Sequence, residues 1–163
     1  MPETRRPRPL VALVIVAVAV LVGVLVVGFL PSPVDGGVEP LVRRILAWLQ
    51  GLGAPVWVDY DFAQAVANVL FFVPVGFLGA VLLPRRVWWL AIPIGGVLSF
   101  AIEFGQLLFL PHRFASWGDV AANTIGAVLG AVIGFATRLA AARRREGSRR
   151  SASRPPARRS EPR

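Results

Sequence analysis

The chain has 163 residues, enough for one domain, with 55% apolar residues and a net charge of +9. Soluble domains sit at about 45–50% apolar; here the apolar residues gather into blocks longer than a buried helix needs, the pattern of a membrane protein. Cysteine is absent, which excludes disulfides, a thiolate nucleophile and Cys-ligated metal.

Arg5, Arg6 and Arg8 precede the first apolar block, over residues 10–30. At about 1.5 Å per residue a helix of that length spans roughly 30 Å, the thickness of the hydrocarbon core of a bilayer. A cleaved signal peptide shares this basic-then-apolar start. The block is too long for an ordinary signal segment and no Ala-x-Ala site follows Leu30, so it is read as a retained helix. Residues 31–61 form a first loop that opens on Pro31-Ser32-Pro33 and Asp35-Gly36-Gly37 turn signals. Over residues 41–53 of that loop, Leu41, Ile45, Trp48, Leu49 and Leu52 share one helical face and Arg43, Arg44 and Gln50 turn away. This predicts a short amphipathic helix, lying either on the membrane surface or on the rest of the protein.

Three more apolar blocks cover residues 62–83, 87–110 and 120–137, with Pro84-Arg85-Arg86 as a tight turn between the first two of them. Pro74 and Pro93 fall inside predicted helices, where each removes a backbone hydrogen bond, a loss that membrane helices tolerate. The expected fold is all-α: a polytopic four-helix transmembrane bundle with a short amphipathic helix in its first outer loop. Residues 1–9 are then a basic amino terminus, residues 10–137 the membrane domain and residues 138–163 an Arg-rich tail. With almost nothing apolar after Ala142, that tail is expected to be disordered.

All basic residues are Arg. In a four-span arrangement fifteen of them fall on one side: three before the first helix, two at the Arg85-Arg86 turn and ten from Arg138 onward. Only Arg43, Arg44 and Arg113 fall on the other. The positive-inside rule puts the fifteen in the cytoplasm of a cell-membrane protein, with both termini inside and the two longer loops outside. Anionic lipid headgroups are the expected partner of the tail, at about 1 kcal/mol per residue. Nucleic acid is not, since no aromatic side chains interleave with the Arg residues to stack on bases.

The polar residues that stand out in or beside the later blocks are Asn68, Ser99, Glu103, Gln106, Asp119 and Asn123, with Arg113 in the loop between the third and fourth. A carboxylate on a membrane helix costs several kcal/mol unless it is partnered or protonated. At 100° per residue, Gly96, Ser99, Glu103 and Gln106 share one stripe of the third helix, and Asp119, Asn123, Gly126, Gly130 and Gly134 one stripe of the fourth. Small residues on those stripes allow close packing, so Gly96, Gly126, Gly130 and Gly134 are expected at helix contacts. The topology places Asn68, Glu103, Gln106, Arg113, Asp119 and Asn123 together at the outer level. They form a candidate ligand site, because ionisable groups in membranes mark sites. A plainer reading has the amides gluing helices, at about 0.6 kcal/mol each, and Arg113 neutralising Glu103 or Asp119. A lone His112 without Cys makes no zinc site, so no metal or cofactor is expected. If the protein is an enzyme, Glu103 and Asp119 are its acid–base pair.

The order Asn68-x-x-Phe71-x-x-Pro74-x-Gly76, Glu103-x-x-Gln106, Arg113, Asp119-x-x-x-Asn123-x-x-Gly126-x-x-x-Gly130 resembles the VanZ-like family of bacterial membrane proteins, named for a teicoplanin-resistance protein. The resemblance covers about residues 68–135. Many members carry a further acidic residue between the matched Arg and Asp, where this chain has Ala115, Ser116, Trp117 and Gly118; a mechanism needing that carboxylate, a metal site included, is not expected. The resemblance implies an association with the cell envelope and, for the founding member, lowered susceptibility to a lipoglycopeptide. Three functions follow as expectations: a non-enzymatic membrane protein whose outward polar site takes an envelope lipid, a lipid-linked precursor or an amphiphilic antibiotic; an integral-membrane enzyme acting on a lipid-linked substrate; and an assembly subunit that docks through its Gly-rich fourth helix.

Overall fold

In hydrocarbon a backbone N–H or C=O finds no water, so a spanning segment is stable only when its bonds close internally, as in a helix. The computed structural model describes residues 9–29, 37–110 and 116–152, and all four apolar blocks are helical. In chain order the elements are α1 (Pro9–Gly28), α2 (Glu39–Gly51), α3 (Tyr60–Leu82), a 3-10 turn (Trp88–Leu90), α4 (Ala91–Phe109) and α5 (Trp117–Ala152). No strand occurs among the described residues. Helices α1, α3, α4 and α5 are each long and apolar enough to cross a bilayer. The protein is an all-α polytopic membrane protein.

The bundle is built on α3 and α5, which run side by side in the same direction. Gly126, Gly130 and Gly134 of α5 lie in turn against the backbone carbonyls of Val69, Val73 and Phe77 of α3. A Cβ at Gly130 would collide with the Val73 carbonyl oxygen and meet the Phe77 nitrogen at 2.7 Å. Gly76 of α3 returns the relation against the backbone of Ala127. On its other side Ala127 approaches α4, where a Cβ at Gly95 would stand 2.6 Å from the Ala127 methyl. Ala127 is fully buried between the three helices. Lipid tails are as apolar as the side chains, so such close packing, not the hydrophobic effect, holds membrane helices together. Helix α1 is looser: among its described side chains only Val24 is buried, against Phe72 and Ile102.

Chain direction gives the bundle two ends. The first turns of α3 and α5 and the last turns of α1 and α4 share one, here the polar end. The Pro84–Val87 turn, closed by the Val87 N–H donating to the Pro84 carbonyl at 2.9 Å, marks the other, the arginine end. Here Arg138 of α5 donates through Nη1 to the carbonyls of Ala80 (2.7 Å) and Leu83 (2.6 Å), satisfying acceptors that the end of α3 leaves open. Hydrogen bonds to a charged group contribute about 1.5–3 kcal/mol. Arg138→Ala should therefore cost about 2 kcal/mol, read as a lower melting temperature of the purified protein, and an unchanged value would assign these bonds no weight.

Two expectations change. The tail does not lose order at Arg138: α5 continues as a single helix to Ala152. Leu139, three Ala and three Arg are strong helix formers, and extending a formed helix avoids the nucleation cost; the remaining residues, 153–163, lie outside the described part. Pro93 does not interrupt a helix interior. It falls in the first turn of α4, after the 3-10 turn that contains Trp89, the residue whose carbonyl a normal N–H at position 93 would have engaged. Pro74, by contrast, lies within an unbroken α3.

Helix α2 settles which of its faces meets the bundle. Arg43 lies 4.4 Å over the Tyr60 ring and bonds Glu39 at 2.8 Å, and this Glu39 contact raises its guanidinium above the ordinary pKa. Gln50 donates to the Val58 carbonyl at 3.0 Å. Of the predicted apolar face, Leu41, Ile45, Trp48 and Leu52 are exposed and Leu49 is half-buried, so most of that face points away from the protein.

Candidate functional site

Buried polar side chains collect toward the polar end, on helices that are otherwise apolar. Ser99, Glu103 and Gln106 form a buried stripe of α4, and Asn123 is buried on α5. Asp119 is half-buried one turn above Asn123. Each of the buried residues has a defined bond. The Gln106 Nε2 donates to the Gly28 carbonyl at 2.7 Å, one of the last carbonyls of α1, which a helix end leaves without an internal donor. At the same place a Cβ on Gly105 would meet the Phe29 ring at 2.6 Å and one on Gly28 the Ile102 methyl at 2.9 Å. Two glycines and one amide thus pin α1 to α4 at this end.

Glu103 has the corresponding relation to α5. Its Oε2 accepts the Ser116 N–H at 2.9 Å, and the Ser116 Oγ accepts the Asp119 N–H at 3.3 Å. Ser116 is therefore the N-cap of α5, and the carboxylate of Glu103 stands at the positive end of that helix, where unpaired N–H groups and the macrodipole favour an anion. About one turn deeper, roughly 6 Å along α4, the Asn123 Nδ2 donates to the Ser99 Oγ at 2.9 Å. Asn123 is 8% exposed and, among the described residues, its Oδ1 has no hydrogen-bond partner. A buried amide oxygen left open costs about 1–3 kcal/mol, so this atom is a natural attachment point for a donor.

Of the sequence-predicted site, the structure groups Glu103, Gln106, Asp119 and Asn123 at one end. Asn68 is half-buried on α3 and its side chain makes no hydrogen bond among the described residues. Arg113 and His112 lie outside the described residues. Gly96 is half-buried beside Thr124, 3.3 Å from its hydroxyl for an added Cβ, while its neighbour Gly95 makes the closer approach. Ser116 was not anticipated, although Ser116-x-x-Asp119 ahead of an apolar run is a capping signal. Ser99 was noted as polar but not placed in the site. An apolar groove of about 370 Å³ flanks this end between α3 and α5, lined by Phe62, Ala65, Val69, Gly118, Ala122 and Ile125 among others. Among the described residues no three His, Asp or Glu side chains gather.

The family model described as VanZ/LLP1 matches residues 14–138. The chain belongs to the VanZ/LLP1 family. Curated proteins and solved structures give no match. The matched span of this VanZ/LLP1 protein reaches well beyond the motif-bearing residues 68–135, back through α2 and most of α1, and stops at Arg138, where α5 leaves its apolar stretch. Helix α1 carries no polar motif residue, which is why the sequence motifs alone did not extend to it. The glycine face of α5 is occupied within the chain by α3. It is thus not a free docking surface for a partner.

Proposed function

We propose that this VanZ/LLP1 protein is a non-enzymatic cell-membrane protein whose polar end faces outward and takes an amphiphile of the envelope: a lipid, a lipid-linked precursor or a lipoglycopeptide of the teicoplanin type. The observation that carries it is the buried Ser99–Asn123 pair with its open amide oxygen, one turn beneath the Glu103 carboxylate. Helix glue needs no unsatisfied acceptor, whereas a ligand donor would complete it. The neighbouring apolar groove offers room for a hydrocarbon segment, and pockets of about 300–1,000 Å³ are the range used for small ligands. The exposed face of α2 would rest at the outer surface of the bilayer, with Trp48 at headgroup level.

Arg85, Arg86 and Arg138 with its successors at the arginine end, against Arg43 and Arg44 at the polar end, support this orientation through the positive-inside rule. The cysteine-free chain makes this simple to test. Gly37→Cys, with nothing near an added Cβ, should react with an impermeant maleimide in intact cells, and Arg86→Cys only after permeabilisation. The reverse labelling would overturn the orientation.

The site itself is tested with Asn123→Ala in a deletion strain challenged with envelope-active antibiotics. The change loses one interhelical bond of about 0.6 kcal/mol and leaves a small gap, while it relieves the cost of the unsatisfied oxygen, about 1–3 kcal/mol; these effects oppose each other, so the melting temperature should barely move. Susceptibility should shift as far as in the deletion. A variant that complements fully would remove the site from this proposal.

A further inference from the structure

We propose that the cleft at the arginine end is a binding site for the phosphodiester of an anionic phospholipid headgroup. It lies between the Pro84–Val87 turn and the part of α5 that continues past its apolar stretch, and it is lined by Arg85, Arg138, Ala141, Ala142, Arg145 and Glu146. Its volume is about 450 Å³. Three guanidinium groups against one carboxylate leave a net charge of about +2, the sign that attracts an anion.

Arg138 makes this more than a scattering of surface charge. It is partly buried and held by two bonds from Nη1 to the Ala80 and Leu83 carbonyls, so its position is fixed before any ligand arrives. Among the described residues its Nε and Nη2 have no acceptor, and a guanidinium presents its N–H groups as a planar fork that fits phosphate oxygens. Arg85 and Arg145 approach from the turn and from the next two turns of α5, both exposed and able to close on an anion. Glu146 supplies an acceptor for a headgroup hydroxyl. The two alanines keep the wall low, so the cleft is open to a bulky headgroup.

Depth selects a lipid as the source of the phosphate. Trp117, 77% exposed at the other end of α5, and Arg138 are twenty-one residues apart, roughly 32 Å along the helix. That is close to the hydrocarbon thickness of a bilayer. Trp88 stacks on Phe135 with ring centres 4.4 Å apart, and Trp89 beside it is half exposed, the aromatic pair expected where hydrocarbon meets headgroups. The cleft therefore sits at phosphate level whichever way the protein faces. It stands apart from the polar end and does not depend on what that end binds.

The test is native mass spectrometry of the full chain in detergent with equal amounts of phosphatidylglycerol and phosphatidylcholine. Retained phosphatidylglycerol should exceed phosphatidylcholine by about fivefold or more, the effect of roughly one arginine near a lipid surface. Arg85→Gln with Arg145→Gln should bring the ratio near one, and Arg145→Gln alone should give an intermediate value. Arg86→Gln with Arg143→Gln removes the same charge from the same end, outside the cleft, and should leave the ratio unchanged. Arg138 is left intact in every variant because it closes α3. An equal fall in both double variants would show diffuse attraction and overturn the site. Displacement of phosphatidylglycerol by millimolar inorganic phosphate would assign the cleft to free phosphate and overturn the lipid.

Discussion

Gly130→Val is expected to cost about 3 kcal/mol or more, enough to remove the cooperative melting transition of a marginally stable membrane protein. The added side chain would meet the Val73 carbonyl and the Phe77 nitrogen. Both are backbone of a hydrogen-bonded helix and cannot rotate aside as a side chain does. Relief would require α3 and α5 to separate, and this loosens the equivalent contacts at Gly126 and Gly134 together. Separation is damaging because lipid competes equally for apolar surface, so little beyond close packing draws the helices back together. Gly134→Ala should be milder, since its nearest neighbour, the Phe77 carbonyl, stands 2.7 Å from an added Cβ. Gly23→Val is the control: nothing lies within 4 Å of its Cβ, and a substitution in open surroundings changes stability by about 0.5 kcal/mol or less. Melting of the purified variants in one detergent measures all three. A Gly130→Val protein that melts with wild type would refute the backbone contact.

The spanning helices were legible because hydrocarbon leaves the backbone no alternative, so length and apolarity alone decide the state of residues such as the Val-rich stretch of α1. Boundaries were less so. Asp59 accepts the Phe62 N–H at 3.0 Å and starts α3 before the apolar block, while Ser116 starts α5; both are local capping signals that a hydropathy pattern passes over. Order beyond Arg138 was missed because composition describes an isolated tail, whereas residues 138–152 inherit a helix already formed. At the polar end, helical spacing places Glu103, Gln106, Asp119 and Asn123 on inward stripes. What spacing does not carry is the partner. Gln106 reaches the Gly28 carbonyl across 78 positions of sequence, and Glu103 reaches a backbone N–H, an atom that every residue but proline possesses. Backbone partners leave no mark in the sequence.

The role of Glu103 can be divided by comparing Glu103→Ala with Glu103→Gln. A neutral hydrogen bond between membrane helices contributes about 0.6 kcal/mol, but a charged acceptor at a helix N-terminus gains from both the bond and the macrodipole, together about 2–3 kcal/mol. Glu103→Ala removes the acceptor, leaves the Ser116 N–H without it and opens a gap between α4 and α5; it should lower stability by that full amount. Glu103→Gln keeps an amide oxygen where Oε2 stood, so it should retain the neutral bond and lose about 1–2 kcal/mol. Melting temperatures should therefore fall in the order wild type, Gln, Ala. The complementation phenotype then separates anchoring from binding. If Glu103 only holds the start of α5, Glu103→Gln complements in proportion to the folded protein it yields. If the charge also meets the ligand, Glu103→Gln fails to complement while most of it remains folded, and a raised expression level does not rescue it. The second result is the one expected here, because an anchor alone does not account for the open Asn123 oxygen one turn beneath the same carboxylate.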